Sequence, residues 1–96
     1  MVQPDHRESS RHAVSLTGLL TTEAFENYGV LVTDIGAGGC RVFSEADVPV
    51  GMFLTLAMPG LGSVRGWVAW RRRAELGIVF DGAVPQQAID HTAALS

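Results

Sequence analysis

Short stretches in which apolar and polar residues alternate follow one another along most of the chain. This alternation predicts β-strands, because successive side chains of a strand point to opposite faces of the sheet. Turn-forming residues separate the stretches, for example between Gly36 and Gly39 and at Pro59 and Gly60. The predicted strands are residues 14–20, 28–34, 40–43, 53–58, 64–71 and 76–80.

The last segment of the chain has a different pattern. Pro85 is a suitable residue at the start of a helix, and Ala88, Ile89 and Leu95 follow at spacings that a helix brings to one side. Six short strands with no crossover helix between them favour antiparallel pairing, and closure of such a sheet removes its exposed edges. We therefore predict an all-β fold, a six-stranded antiparallel β-barrel with a short C-terminal helix.

The N-terminal residues show no apolar periodicity. We expect residues 1–12 to form a flexible arm and residues 13–96 to form the barrel with its terminal helix. A chain of 96 residues is expected to form a single domain. It contains neither a run of about 18 apolar residues nor a signal-peptide pattern near its start. We expect a cytoplasmic protein that does not insert into a membrane.

Charge and reactive residues restrict the possible functions. The net charge of −3 at pH 7 argues against binding of a nucleic-acid polymer, which needs many basic contacts. Cys40 is the only cysteine, so an intramolecular disulfide and a cysteine zinc cluster are impossible, and the histidines lack metal-binding spacing. We find no arrangement of a nucleophile with a base and no paired carboxylates. We expect no catalytic residue, no metal site and no cofactor.

Two features of the sequence suggest a site for a small anionic ligand. Arg7 and Arg11 lie four residues apart in the arm, and their guanidinium groups can bind phosphate or the guanine O6 and N7 atoms. Asp34 begins a glycine-rich turn, and its carboxylate can accept hydrogen bonds from guanine N1–H and N2–H₂. Each feature also fits a simpler interpretation, since arginines are common in solvated tails and aspartates often cap turns.

The motifs Arg-x-x-x-Arg (7–11), Asp-x-Gly-x-x-Gly (34–39), Gly-x-Val-x-Trp (66–70) and Gly-x-x-Phe (77–80) together resemble the PilZ domain family, the bacterial receptors for cyclic diguanylate (cyclic di-GMP). The resemblance implies a non-catalytic receptor that binds this second messenger. It also implies that ligand binding orders the arm against the barrel and alters the surface presented to an effector protein, which is not identified. The ligand-binding residues that it implies are Arg7, Arg11, Asp34, Gly36 and Gly39.

Gly36 departs from the family pattern, which has serine at this position. One neutral hydrogen bond contributes about 0.5 to 1.5 kcal/mol, so loss of the hydroxyl predicts roughly two- to twelvefold weaker binding. The alternative is a degenerate PilZ domain that does not bind the nucleotide and acts as a protein interaction module, as do some family members linked to type IV pili.

The two tryptophans are three residues apart on a predicted strand and therefore face opposite sides. We predict that Trp70 lies in the core with Val68 and that Trp67 lies on the outer face under the terminal helix. Residues 71–73 are three arginines, which are typical of a solvated hairpin tip.

Overall fold

A closed antiparallel barrel forms most of the protein. The computed structural model describes residues 11–96, and within them the barrel order is β1-β2-β3-β6-β5-β4. The predicted all-β fold with a C-terminal helix is confirmed. The elements are β1 (His12–Thr22), β2 (Asn27–Gly36), β3 (Gly39–Phe43), β4 (Phe53–Met58), β5 (Gly62–Arg72), β6 (Glu75–Phe80) and α1 (Gln86–Ala94).

The barrel interior is filled by the apolar residues that alternate along the strands. Leu20, Val32, Val42 and Leu56 are fully buried, and burial of each such side chain stabilises the fold by about 1.5 to 3 kcal/mol. Helix α1 follows Pro85 and packs against β1 and β2. In residues 11–96, no helix is long and apolar enough to cross a membrane.

The hairpin between β2 and β3 requires glycine at one position. Gly36 pairs with Gly39, which leaves residues 37 and 38 as the turn. A Cβ atom at Gly39 would collide with the backbone carbonyl oxygen of Ile78 in the neighbouring strand β6. Gly39 therefore allows β3 and β6 to approach closely just beyond the turn.

Two irregularities in strand pairing decide which side chains face outwards. In β2 the register shifts between Val32 and Asp34, so Val32 and Ile35 are both buried and Asp34 lies on the outer surface. In β5 a similar shift lies between Val68 and Trp70. A β-bulge of this kind reverses the alternation of side chains beyond it.

The prediction that Trp70 lies in the core is therefore wrong. Trp70 is 38% exposed on the outer surface, because the bulge after Val68 turns its side chain away from the interior. Trp67 also lies on the outer surface, where its ring packs against Phe53 at a centroid distance of 5.5 Å. Helix α1 packs mainly against β1 and β2, so the prediction that it covers Trp67 in β5 does not match the packing.

Candidate functional site

Arg11 and Asp34 form an ion pair on the outer surface of the barrel. Arg11 Nε donates a hydrogen bond of 2.9 Å to Asp34 Oδ1, and Arg11 Nη2 lies 2.7 Å from the same oxygen. The two side chains are 47% and 20% exposed, so solvent screens the pair. Such a pair contributes at most about 1 kcal/mol to stability. A ligand that offers better partners to both groups can therefore separate them.

A second arginine, Arg41, contacts the other oxygen of the same carboxylate. Arg41 Nη2 lies 3.4 Å from Asp34 Oδ2, and Arg41 Nε lies 3.6 Å from Glu75 Oε2. Asp34 and Arg41 are direct cross-strand partners in β2 and β3, where opposite charges stabilise the pairing. Sequence reasoning missed Arg41. In a hairpin whose turn is residues 37 and 38, residue 34 pairs with residue 41. This register could have identified Arg41 from the sequence.

The site is a row of residues that runs across five strands. Strand pairing aligns Ala13, Asp34, Arg41, Gly77 and Trp70, in that order. Gly77 is the position over which the Trp70 indole lies, and a Cβ atom there would overlap the ring. The row therefore places a carboxylate, a guanidinium group and an aromatic ring side by side on one surface.

These side chains line an open pocket of about 360 Å³. Arg11, Asp34, Arg41 and Trp70 contribute the polar and aromatic groups, and Gly39 forms part of the wall. The volume falls within the range of about 300 to 1,000 Å³ that is typical of small-molecule sites. The pocket combines two cations, one anion and a ring, a set that suits a planar base attached to phosphate.

Gly36 lies directly beneath the Arg11 side chain. A Cβ atom at position 36 would come within 3.0 Å of Arg11 Cγ and 3.1 Å of Arg11 Nη1. The backbone of Gly36 is outside the left-handed region, since the glycines with positive φ in residues 11–96 are Gly51, Gly60, Gly62 and Gly82. A serine at position 36 can therefore adopt this backbone, provided that Arg11 moves by a few tenths of an ångström.

Four of the five predicted site residues come together in the structure. Arg11, Asp34 and Gly39 line the pocket, and the Arg11 side chain packs over Gly36. Arg7 lies outside the described residues. Trp70 and Arg41 were not predicted as site residues, the first because the β5 bulge is not visible in the sequence.

Cys40 also lines the pocket but is not suited to act as a nucleophile or as a metal ligand. Its side chain is buried, and burial raises the pKa of the thiol to about 12, so the thiol stays protonated at neutral pH. A protonated thiol is a poor nucleophile and metal ligand. Among residues 11–96, no three side chains of His, Cys, Asp or Glu are grouped so that they could hold a metal ion.

The comparisons with known proteins agree with this architecture. Residues 5–95 match the PilZ domain, so the chain belongs to the PilZ domain family. The solved structure of the Borreliella burgdorferi PlzA protein in complex with c-di-GMP is similar, with a TM-score of 0.63 and 19% sequence identity. The similarity covers 80% of this chain and 32% of the PlzA chain, so the protein spans about a third of that relative. At this identity the likeness shows a shared fold. No curated protein sequence matches the chain at a significant level.

Proposed function

We propose that this protein is a non-catalytic receptor domain that binds cyclic di-GMP in the pocket between Arg11, Asp34 and Trp70. Membership of the PilZ family and the c-di-GMP complex of the PlzA protein support the choice of ligand. The observation that carries the proposal is the placement of Asp34. Its carboxylate faces outwards, next to an arginine of the Arg-x-x-x-Arg motif and in one pocket with an exposed aromatic ring.

In the proposed complex, the guanine edge takes the place of Arg11 at Asp34. A carboxylate is a stronger partner for guanine N1–H and N2–H₂ than a neutral acceptor, because the hydrogen bonds are charge-assisted. Arg11, once released, and Arg7 bind the phosphates or stack on a purine. Trp70 supplies a second flat surface for stacking, Gly39 forms part of the pocket wall, and Gly36 lies against the Arg11 side chain.

The proposed signal passes from the arm to helix α1 and then to an effector protein. Arg11 is followed by His12, whose Nε2 lies 2.8 Å from Asp90 Oδ1 in α1. Hydrogen bonds from Gln86 and His12 hold the pKa of Asp90 below its usual range. Movement of Arg11 on ligand binding therefore displaces its neighbour His12, which is hydrogen-bonded to Asp90 in α1. We expect the surface around His12 and α1 to change.

Trp70 provides a direct test of where the ligand binds. Stacking of a guanine on the indole is expected to quench its fluorescence, and the change should persist in Trp67→Phe and disappear in Trp70→Phe. Phenylalanine retains an aromatic face, so Trp70→Phe should still bind cyclic di-GMP when binding is followed by calorimetry. Loss of the fluorescence change in Trp67→Phe instead would place the ligand elsewhere on the barrel.

Gly36→Ser restores both the Cβ atom and the hydroxyl of the serine that the family has at this position. The Cβ atom is expected to press Arg11 away from Asp34, and the hydroxyl adds one hydrogen bond, so affinity for cyclic di-GMP should rise about two- to tenfold. Gly36→Ala is the matched control, since it adds the Cβ atom without the hydroxyl and should recover only part of the gain. Titration calorimetry of both variants measures the difference. A serine variant that folds normally and binds more weakly than wild type would contradict this interpretation.

The alternative function is a degenerate PilZ domain that acts through protein contacts alone. Gly36 in place of the serine favours it, as does an apolar surface on the outer face of three adjacent strands. Leu19, Leu31 and Phe43 are 46%, 38% and 53% exposed there, and Leu31 pairs directly with Phe43. Absence of cyclic di-GMP binding in both wild type and Gly36→Ser would favour this alternative.

A further inference from the structure

Asp34 is held by two arginines that differ in how firmly they are fixed. Arg11 precedes the first residue of β1 and contacts Oδ1, whereas Arg41 lies within β3 and contacts Oδ2. Strand β3 is bonded to β2 on one side and β6 on the other. The backbone of Arg41 is therefore fixed by the barrel, while Arg11 lies just before the first residue of β1.

We propose that Arg41 is a positioning residue that holds the Asp34 carboxylate in the orientation required to recognise guanine, and that Glu75 holds Arg41 in turn. The inference rests on the proposed receptor function and extends it to residues outside the Asp34 to Gly39 motif.

The surroundings of Arg41 favour this role over direct phosphate binding. Its guanidinium group lies between two carboxylates, Asp34 and Glu75, so its charge is already balanced. Arg41 Nε is buried and has no hydrogen-bond partner among the described residues, with Glu75 Oε2 at 3.6 Å as its nearest ionic partner. Because it is buried, this Nε atom is not available to a ligand in the open pocket, although the Arg41 side chain as a whole is 43% exposed.

Exchange of partners at Asp34 then follows from the geometry. The guanine edge displaces Arg11 from Oδ1, while Oδ2 remains in contact with Arg41. Each carboxylate oxygen has two lone pairs, so Oδ2 can accept a hydrogen bond from guanine and keep its contact with Arg41. The carboxylate does not rotate when Arg11 leaves, and Arg11 becomes available to the phosphates.

The test compares two dinucleotides, because a residue that positions the Asp34 carboxylate affects the binding of guanine and not that of adenine. Arg41→Gln is expected to weaken cyclic di-GMP binding by about tenfold, to change cyclic di-AMP binding by less than about twofold, and thus to lower the ratio between them. Glu75→Gln should change the ratio in the same direction by a smaller factor. The control is Arg65→Gln, which removes the same charge on the surface of β5 and should leave the ratio unchanged. Calorimetry with each dinucleotide gives the ratios.

Two results would overturn the inference. An equal loss of affinity for both dinucleotides in Arg41→Gln would make Arg41 a phosphate contact, and unchanged affinity for both would remove Arg41 from ligand binding. A second measurement needs no ligand: the ¹³C resonance of the Asp34 carboxyl group should shift in Arg41→Gln and Glu75→Gln and not in Arg65→Gln. If wild type binds no cyclic di-GMP, the receptor proposal fails, and this resonance still decides whether Arg41 and Glu75 act on Asp34.

Discussion

Asp34→Ala is expected to weaken cyclic di-GMP binding by about 3 kcal/mol, or more than a hundredfold, because hydrogen bonds to a charged acceptor contribute about 1.5 to 3 kcal/mol each. The phosphate contacts remain, and Arg11 is freed from its carboxylate partner. Cyclic di-AMP should therefore bind as well as or better than it does to wild type. Calorimetry with both dinucleotides measures the change in selectivity.

Asp34→Asn is the matched control for this substitution. It keeps the shape of the side chain and one acceptor oxygen but replaces the other oxygen with a donor. An intermediate loss of cyclic di-GMP affinity is expected. If Asp34→Ala weakens both dinucleotides equally, Asp34 shapes the hairpin and does not recognise the base.

Removal of both arginines of the arm should have an effect of similar size. Arg7→Ala and Arg11→Ala each remove a charge-assisted contact, and each is expected to weaken cyclic di-GMP binding by about 1.5 to 3 kcal/mol. The double variant should lose at least about a hundredfold in affinity. Its melting temperature should change little, because the exposed pair between Arg11 and Asp34 contributes at most about 1 kcal/mol.

A charge-matched double variant distinguishes specific contacts from general electrostatics. Arg65→Ala with Arg73→Ala removes two positive charges from positions outside the pocket lining. Calorimetry at physiological salt should show near wild-type affinity for this control. Equal losses in the two double variants would mean that the arm arginines act only through net charge.

The barrel was predictable because its strands obey simple rules. Leu54, Leu56 and Met58 alternate with less buried residues in β4, and the turn after Met58 ends the strand. The glycine turn between β2 and β3 marked a hairpin for a physical reason, since Gly39 is required where β3 meets β6. These features depend on local sequence, so the alternation of apolar and polar residues and the turn residues were enough to predict them.

The candidate site was only partly predictable, because its geometry depends on two bulges. A bulge adds no distinctive residue to the sequence, yet the one in β5 moves Trp70 from the predicted core to the pocket. The one in β2 turns Asp34 outwards to face Arg41. The packing of Arg11 over Gly36 likewise joins residues that are distant in sequence, and no local pattern contains that contact.

Titration calorimetry of the wild-type protein with cyclic di-GMP at physiological salt tests the central claim most directly. The account predicts saturable binding that is tighter than that of cyclic di-AMP and that is lost in Asp34→Ala. Absence of binding at cyclic di-GMP concentrations up to about 1 mM, which corresponds to about 4 kcal/mol of binding free energy, would contradict the receptor function.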